Sequence, residues 1–116
     1  MRIALCVMVP LISVLLARAR DPECAGADSW PATMAFVHLK NAGLARNDTV
    51  DFGRTKVVRI ASEKIGKDLY RQVHRVIFAE TSGNLIEIIT INDASHQECS
   101  ESGVDVFVVA RHLGPK

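Results

Sequence analysis

The chain has no excess of charge of either sign. Its 14 lysine and arginine residues stand against 13 aspartate and glutamate residues, which gives a formal net charge of +1 at pH 7. Proteins that bind nucleic acids or anionic membranes do so through clustered positive charge. We therefore expect neither nucleic acid nor an anionic membrane among the partners of this protein.

Motifs tied to a known reaction are missing as well. No serine lies in a G-x-S-x-G elbow, no cysteines form a C-x-x-C pair, and no histidines form an H-x-H pair. The sequence has no internal repeat, low-complexity segment or linker, and 116 residues fit one domain. We predict no catalytic residue, no metal site and no cofactor.

The long apolar run in the sequence lies at the N-terminus, where residues 3–17 carry no charge. Arg2 precedes the run, and the small residues Ala17 and Ala19 stand at the two positions that determine signal cleavage. A transmembrane helix needs roughly 20 apolar residues, and this run is shorter. We predict that residues 1–19 are a secretory signal peptide, that no stable membrane anchor remains, and that the mature protein is periplasmic or secreted. An uncleaved anchor is the alternative.

Two cysteines remain after cleavage behind Ala19, namely Cys24 and Cys99. An even number of cysteines in an oxidising compartment indicates a disulfide, and we predict that these two pair. Cleavage behind Ala27 is a second possibility, and it would remove Cys24. Free thiols are the other alternative, since spacing alone does not bring two cysteines within bonding distance.

Turn and strand signals divide the rest of the chain. Residues 20–33 mix proline, glycine and aspartate and predict an irregular N-terminal arm, which precedes a domain over residues 34–116. Residues 34–43 are ambiguous: Pro31 and Gly43 could bracket a helix, whereas the Phe36–Leu39 run favours a strand, which we prefer.

Runs of β-branched residues predict most of a sheet. One strand is predicted over Lys56–Ala61, and a hairpin over Leu69–Glu80 and Leu85–Ile91, with a glycine-containing loop between. A last strand over Val104–Ala110 is almost wholly apolar, which favours a central place. The predicted fold is a single α+β domain with a mainly antiparallel sheet of four or five strands and one or two short helices.

The tripeptide Asn47-Asp48-Thr49 is a loop signal between two of these segments. It also matches the N-x-[ST] pattern of N-glycosylation, which places it in a surface loop. Whether the pattern is used depends on the secretory machinery of the host.

Three tracts in the C-terminal half carry a resemblance. They are LYRQVHRVIF, IEIITINDASHQECS and SGVDVFVVARHLG, in that order. Together they resemble a group of small exported bacterial proteins of uncharacterised function. The resemblance implies a periplasmic or secreted protein with a compact α+β fold, and it implies no catalytic residue.

Basic residues on the first hairpin strand form one candidate site. Arg71 and Arg75 share a face of an ideal strand and, with His74 nearby, could bind an acidic or phosphorylated ligand. Strand geometry points His74 to the other face. Acidic residues such as Glu87 could instead pair with the arginines across strands.

The loop from Asn92 to Ser100 is the second candidate. It contains Asp93, Ser95 and His96, the residue types of a hydrolase triad, but neighbours on one turn rarely point at a common atom. Capping of a short turn by Asp93 or Ser95 is the simpler interpretation. His96 and Cys99 have a spacing compatible with metal ligation, which a disulfide at Cys99 excludes.

These observations favour a non-enzymatic binding protein whose partner is a protein or a small molecule. It would use the sheet face or the Asn92–Ser100 loop. A small hydrolase with His74 or His96 as base predicts an imidazole that faces a carboxylate in a pocket. A toxin inhibitor is a third possibility. The predicted signal peptide argues against one that protects the cytoplasm, because the protein would be exported from it.

Overall fold

The computed structural model describes residue 4 and residues 20–109. The predicted signal peptide, apart from residue 4, and residues 110–116 lie outside the described residues. The described elements are a helix α1 (Trp30–Asn41) followed by the strands β1 (Val50–Gly66), β2 (Leu69–Glu80), β3 (Leu85–Ala94) and β4 (Asp105–Val108). Together they form the predicted α+β domain with an antiparallel sheet.

The four described strands follow one another across the sheet in the order β1-β2-β3-β4, and each is antiparallel to the next. The β2–β3 hairpin is confirmed: its ladder runs without a register shift from Tyr70 opposite Ala94 to Ala79 opposite Leu85. Gly83 has a φ of 95° in the connecting turn, a conformation that side-chain-bearing residues rarely adopt.

Helix α1 replaces the strand that we expected over residues 34–43, so that prediction is wrong. Pro31 stands in the first helical turn, and Gly43 follows the helix with a φ of 73°. The amide of Leu44 donates to the Leu39 carbonyl at 2.9 Å, as in a helix end closed by a left-handed glycine. The arm therefore ends at Ser29 rather than at residue 33.

The last strand is also misplaced by the sequence. β4 lies at the edge of the described sheet rather than in its centre, and it ends at Val108. Only part of its apolar character comes from burial in the core. Val106 packs against the core under the helix, whereas Phe107 is 53% exposed on the other face. Apolar residues on both faces therefore do not make β4 a central strand.

The inner face of the sheet has two halves. The apolar half packs under α1, where Ala35 and Leu39 of the helix meet Val76, Phe78 and Ile88 of the sheet. The polar half lies beyond it, towards the start of β2, and is covered by the N-terminal arm. We call the opposite, helix-free side of the sheet the outer face.

Candidate functional site

Three chain segments meet at the end of the sheet where β2 begins. They are the start of the arm, the two-residue turn between β1 and β2, and the loop between β3 and β4. The Cys24–Cys99 disulfide joins the arm to the loop, with the two Cα atoms 5.7 Å apart. The predicted pairing is therefore confirmed. We call this region the disulfide end.

His96 fastens the arm a second time. Its Nδ1 contacts the Asp68 carboxylate, and its Nε2 lies 2.6 Å from the carbonyl oxygen of Arg20. Both partners are hydrogen-bond acceptors, so both ring nitrogens can donate only when the imidazole is protonated. The bond to the Arg20 carbonyl, followed by the bond to Asp68, raises the pKa of His96. The bond to His96 in turn lowers the pKa of Asp68.

The backbone of the β1–β2 turn favours this contact. Asp68 has a φ of 46°, a left-handed conformation that aspartate tolerates better than most residues. Its carboxylate also accepts the backbone N–H of His96 at 3.1 Å. Tyr70 stands edge-on to the imidazole with ring centroids 5.4 Å apart. The His96 ring is thus held on two sides.

The arm covers the polar half of the inner face. The carbonyl oxygen of Pro22 accepts from Gln72 Nε2 at 2.8 Å and from Arg59 at 3.0 Å. Asn92 of β3 donates to the Cys99 carbonyl at 2.8 Å. A sheet face that would otherwise be open to solvent is closed by backbone carbonyls of the arm and the loop.

His74 lies in this polar half, opposite Thr90 in the ladder, and is completely buried. Neither ring nitrogen has a hydrogen-bond partner among the described residues. Burial, together with the positive charge of Arg59, lowers the pKa of His74, and Glu23 opposes that shift. Burial thus favours the neutral form of this imidazole.

The three residue types of the supposed triad do not converge. Ser95 Oγ lies 2.7 Å from a Glu101 carboxylate oxygen and accepts the backbone N–H groups of Gln97 and Glu98. Asp93 turns to the outer face, and His96 turns to Asp68. Ser95 organises the loop backbone, as a capping residue does.

On the outer face, Arg71 and Arg75 point the same way, and each has an acidic neighbour. Arg71 contacts Asp93 at 3.1 Å and Arg75 contacts Glu87 at 2.7 Å, both across the β2–β3 ladder. The bond to Asp93 raises the pKa of Arg71. His74 lies on the inner face because alternate side chains of a strand point to opposite faces, so it is not part of this surface.

Apolar side chains fill the outer face between these ion pairs. One row across all four described strands runs from Val58 through Arg75 and Ile89 to Phe107. Val58 and Phe107 are 58% and 53% exposed. Between these two residues lie Arg75, which is paired with Glu87, and the half-buried Ile89.

The cavities of the described residues are open and shallow. One of about 450 Å³ lies between the start of the arm and the Ser95–Cys99 segment, beside His96. Another of about 520 Å³ lies at the outer face beside Arg71 and Asp93. Within residues 20–109, no three histidine, cysteine or acidic side chains are grouped as a metal site would require.

The structure thus joins only part of what the sequence singled out. Cys24, Cys99 and His96 meet at the disulfide end, whereas the two arginines lie on the outer face. Sequence reasoning missed Asp68 as the partner of His96. Its signal was weak, because Asp68 is 28 residues away and looks like an ordinary turn residue.

No protein-family model matches this chain, and neither does any curated protein or solved structure. No described helix has both the length and the apolar character needed to cross a membrane.

Proposed function

We propose that the protein is exported and acts as a non-enzymatic binding protein whose outer sheet face receives a protein partner. The observation that carries the proposal is the presence of two exposed apolar side chains, Val58 and Phe107, on the outer face, with the half-buried Ile89 between them in the same row. A partner with its own apolar surface would remove these groups from water, at about 25 cal/mol per Å² buried.

Charge on the outer face argues for a protein rather than a free acidic molecule. Arg71 and Arg75 already have carboxylate neighbours in Asp93 and Glu87. An acidic ligand would have to displace both. A protein surface can instead pack on the apolar groups and leave the ion pairs as a polar rim.

Export is supported by the disulfide and by the apolar run at residues 3–17. Its test is the intact mass of the natural protein before and after reduction. We expect a chain that begins at Arg20 and shows free thiols only after reduction. A mass that retains Met1, together with thiols that are free before reduction, would contradict export.

The test of the binding surface is a substitution at Phe107. The natural extracellular or periplasmic fluid is passed over the immobilised protein, over Phe107→Glu, and over Leu44→Glu as control. Leu44 is 55% exposed, much like Phe107, but lies in the connection between α1 and β1.

We expect a partner that binds the wild type and Leu44→Glu alike and binds Phe107→Glu at least about tenfold more weakly, because the variant would bury an unpaired carboxylate against the partner. A partner retained equally by both variants would place the binding surface elsewhere. Equal loss in both would indicate unspecific apolar adsorption.

A hydrolase is the second candidate, because His96 does face a carboxylate beside a cavity. Against it, the Arg20 carbonyl occupies Nε2, the nitrogen that would have to take a proton. Turnover of ester or peptide substrates by the wild type that disappears in His96→Asn would favour the hydrolase over the binding protein.

A further inference from the structure

The Asn47-Asp48-Thr49 motif plays no part in the outer face or the disulfide end. Asn47 and Asp48 are exposed in the turn between α1 and β1. Arg46 contacts Asp48 at 3.1 Å, and the Thr49 hydroxyl donates to the Arg46 carbonyl at 3.1 Å. The turn is therefore shaped by its own side chains, and the Asn47 amide is left on the surface.

We propose that Asn47 is an N-glycosylation site. The co-reactant is an oligosaccharide carried on a polyprenyl diphosphate. The Asn47 amide nitrogen attacks the anomeric carbon, an N–C bond forms, and the C–O bond to the diphosphate breaks. The polyprenyl diphosphate leaves with the bonding electrons, and the amide gives up one proton to the transferase. The proposal rests on the export stated above.

A second observation concerns what surrounds the motif. Three large apolar side chains at this end of the molecule are exposed: Leu44 by 55%, Phe52 by 44% and Leu85 by 64%. A hydrogen bond of 2.9 Å from Thr81 to the Thr49 carbonyl ties the β2–β3 turn to the motif. A glycan on Asn47 would add a hydrophilic group close along the chain to Leu44 and Phe52, two apolar side chains that the described residues leave exposed.

The position is also compatible with partner binding. β2 runs from Leu69 at the disulfide end to Glu80 beside the motif, and a strand rises about 3.3 Å per residue. The glycan would therefore stand roughly 35 Å from the disulfide end. It would leave His96 and the middle of the outer face accessible.

The test uses the natural protein, treated with and without peptide-N-glycosidase. We expect a mass above that of the polypeptide beginning at Arg20, which the glycosidase lowers while converting Asn47 to aspartate. An exported chain with the plain polypeptide mass and no response to the enzyme would overturn the glycan while leaving export intact. A chain that retains Met1, has free thiols before reduction and shows no response to the enzyme would overturn both.

Variants secreted by cultured eukaryotic cells locate the site. Asn47→Gln and Thr49→Ala should lose the glycan, whereas Thr49→Ser keeps the motif and should retain it. Retention of the glycan in Asn47→Gln would contradict the proposal. Thiol titration before and after reduction checks that each variant forms the disulfide and has therefore folded.

A solubility measurement tests the covering role separately. The glycosidase-treated protein should aggregate at a lower concentration than the glycosylated protein, and Leu44→Asp should restore its solubility. If removal of the glycan leaves solubility unchanged, the apolar groups do not need this cover.

Discussion

At the residue scale, the two histidines at the arm respond to pH in opposite directions. Protonated His96 donates one N–H to the Arg20 carbonyl and the other to the Asp68 carboxylate. Deprotonation removes one of these N–H groups, so a ring nitrogen with a lone pair would then face an acceptor oxygen. Burial lowers the pKa of His74, and protonation of this imidazole would place a buried charge beside Arg59 in the ladder. The arm is held best at a pH between the two titrations.

His96 sets the alkaline side of this range. Its pKa is raised in the folded protein, so its stabilisation is complete below the unfolded value near 6.5 and is lost as pH rises through the folded pKa. As the pH rises through the folded pKa of His96, we expect the urea concentration at the unfolding midpoint to fall for the wild type. The midpoint of His96→Gln should change less over the same pH range. The control is His38→Gln, on the exposed side of α1. Parallel curves for the wild type and His96→Gln would contradict this role.

His74 sets the acidic side. Its pKa is lowered in the folded protein, so the unfolded chain takes up the proton first and stability falls as pH drops from about 6.5 towards the folded pKa. His74→Gln should lose this decline, whereas Thr90→Val, at the neighbouring ladder position, should keep it. Urea unfolding midpoints of both variants and the wild type, measured at mildly acidic pH, test this prediction. An undiminished decline in His74→Gln would assign the effect to carboxylates.

Residue types predicted the disulfide but not the His96–Asp68 pair. Cys24 and Cys99 are the two cysteines that follow the predicted cleavage site behind Ala19, so counting residues predicted that they pair. A histidine has many polar residues within possible reach. The choice of Asp68 depends on where the β1–β2 turn ends beside the β3–β4 loop, which is a property of the fold.

At the scale of the element, local patterns predicted strands better than the helix. The β2–β3 hairpin has long β-branched runs on both sides of a glycine turn, and those signals agree. In α1 they conflict, because Phe36 and Val37 favour a strand while buried Ala32, Ala35 and Leu39 recur at helical spacing. Burial of these three side chains against the sheet stabilises the helix over the strand.

The helix stripe can be tested at its largest side chain. Leu39 is 1% exposed and packs against the sheet core. Leu39→Ala should lower the free energy of unfolding by about 3 kcal/mol, because it removes buried methyl groups and leaves a cavity. Lys40→Ala, exposed on the next residue of α1, should change it by under about 0.5 kcal/mol. Chemical denaturation measures both, and equal losses would show that the stripe does not hold the helix.

β1 was predicted as Lys56–Ala61 but runs over Val50–Gly66. Its register against β2 shifts at three places, between Asp51 and Lys56, between Arg59 and Ala61, and between Lys64 and Gly66. Each shift interrupts the alternation of buried and exposed residues on which strand prediction depends. The sequence therefore revealed only a middle part of β1, which itself contains the shift between Arg59 and Ala61.

At the scale of the whole molecule, β1 is a long edge of the described sheet. Such an edge invites pairing with a second chain unless bulges and charged side chains oppose it. β1 has irregular register, and Arg54 and Lys56 are exposed along it. These features explain how the edge can remain free of other chains even though Val58 and Ile60 are more than half exposed.

Removing the charges should therefore increase association. We expect Arg54→Thr/Lys56→Thr to form dimers or larger species at concentrations where the wild type does not. The control is Lys40→Thr/Arg46→Thr, which removes the same charges outside the strand. Light scattering coupled to size-exclusion chromatography measures the masses. Identical masses for both double variants and the wild type would mean that the backbone irregularities alone protect the edge.

The disulfide also constrains the order of events during synthesis. Its two cysteines are 75 residues apart, and the ribosome delivers Cys24 long before Cys99. Cys24 must wait for this partner while the helix and three strands emerge, so the bridge can close only after β3 has been synthesised. A translation product truncated before Cys99 lacks the partner of Cys24, so the bond distinguishes chains that reach Cys99 from chains that stop before it.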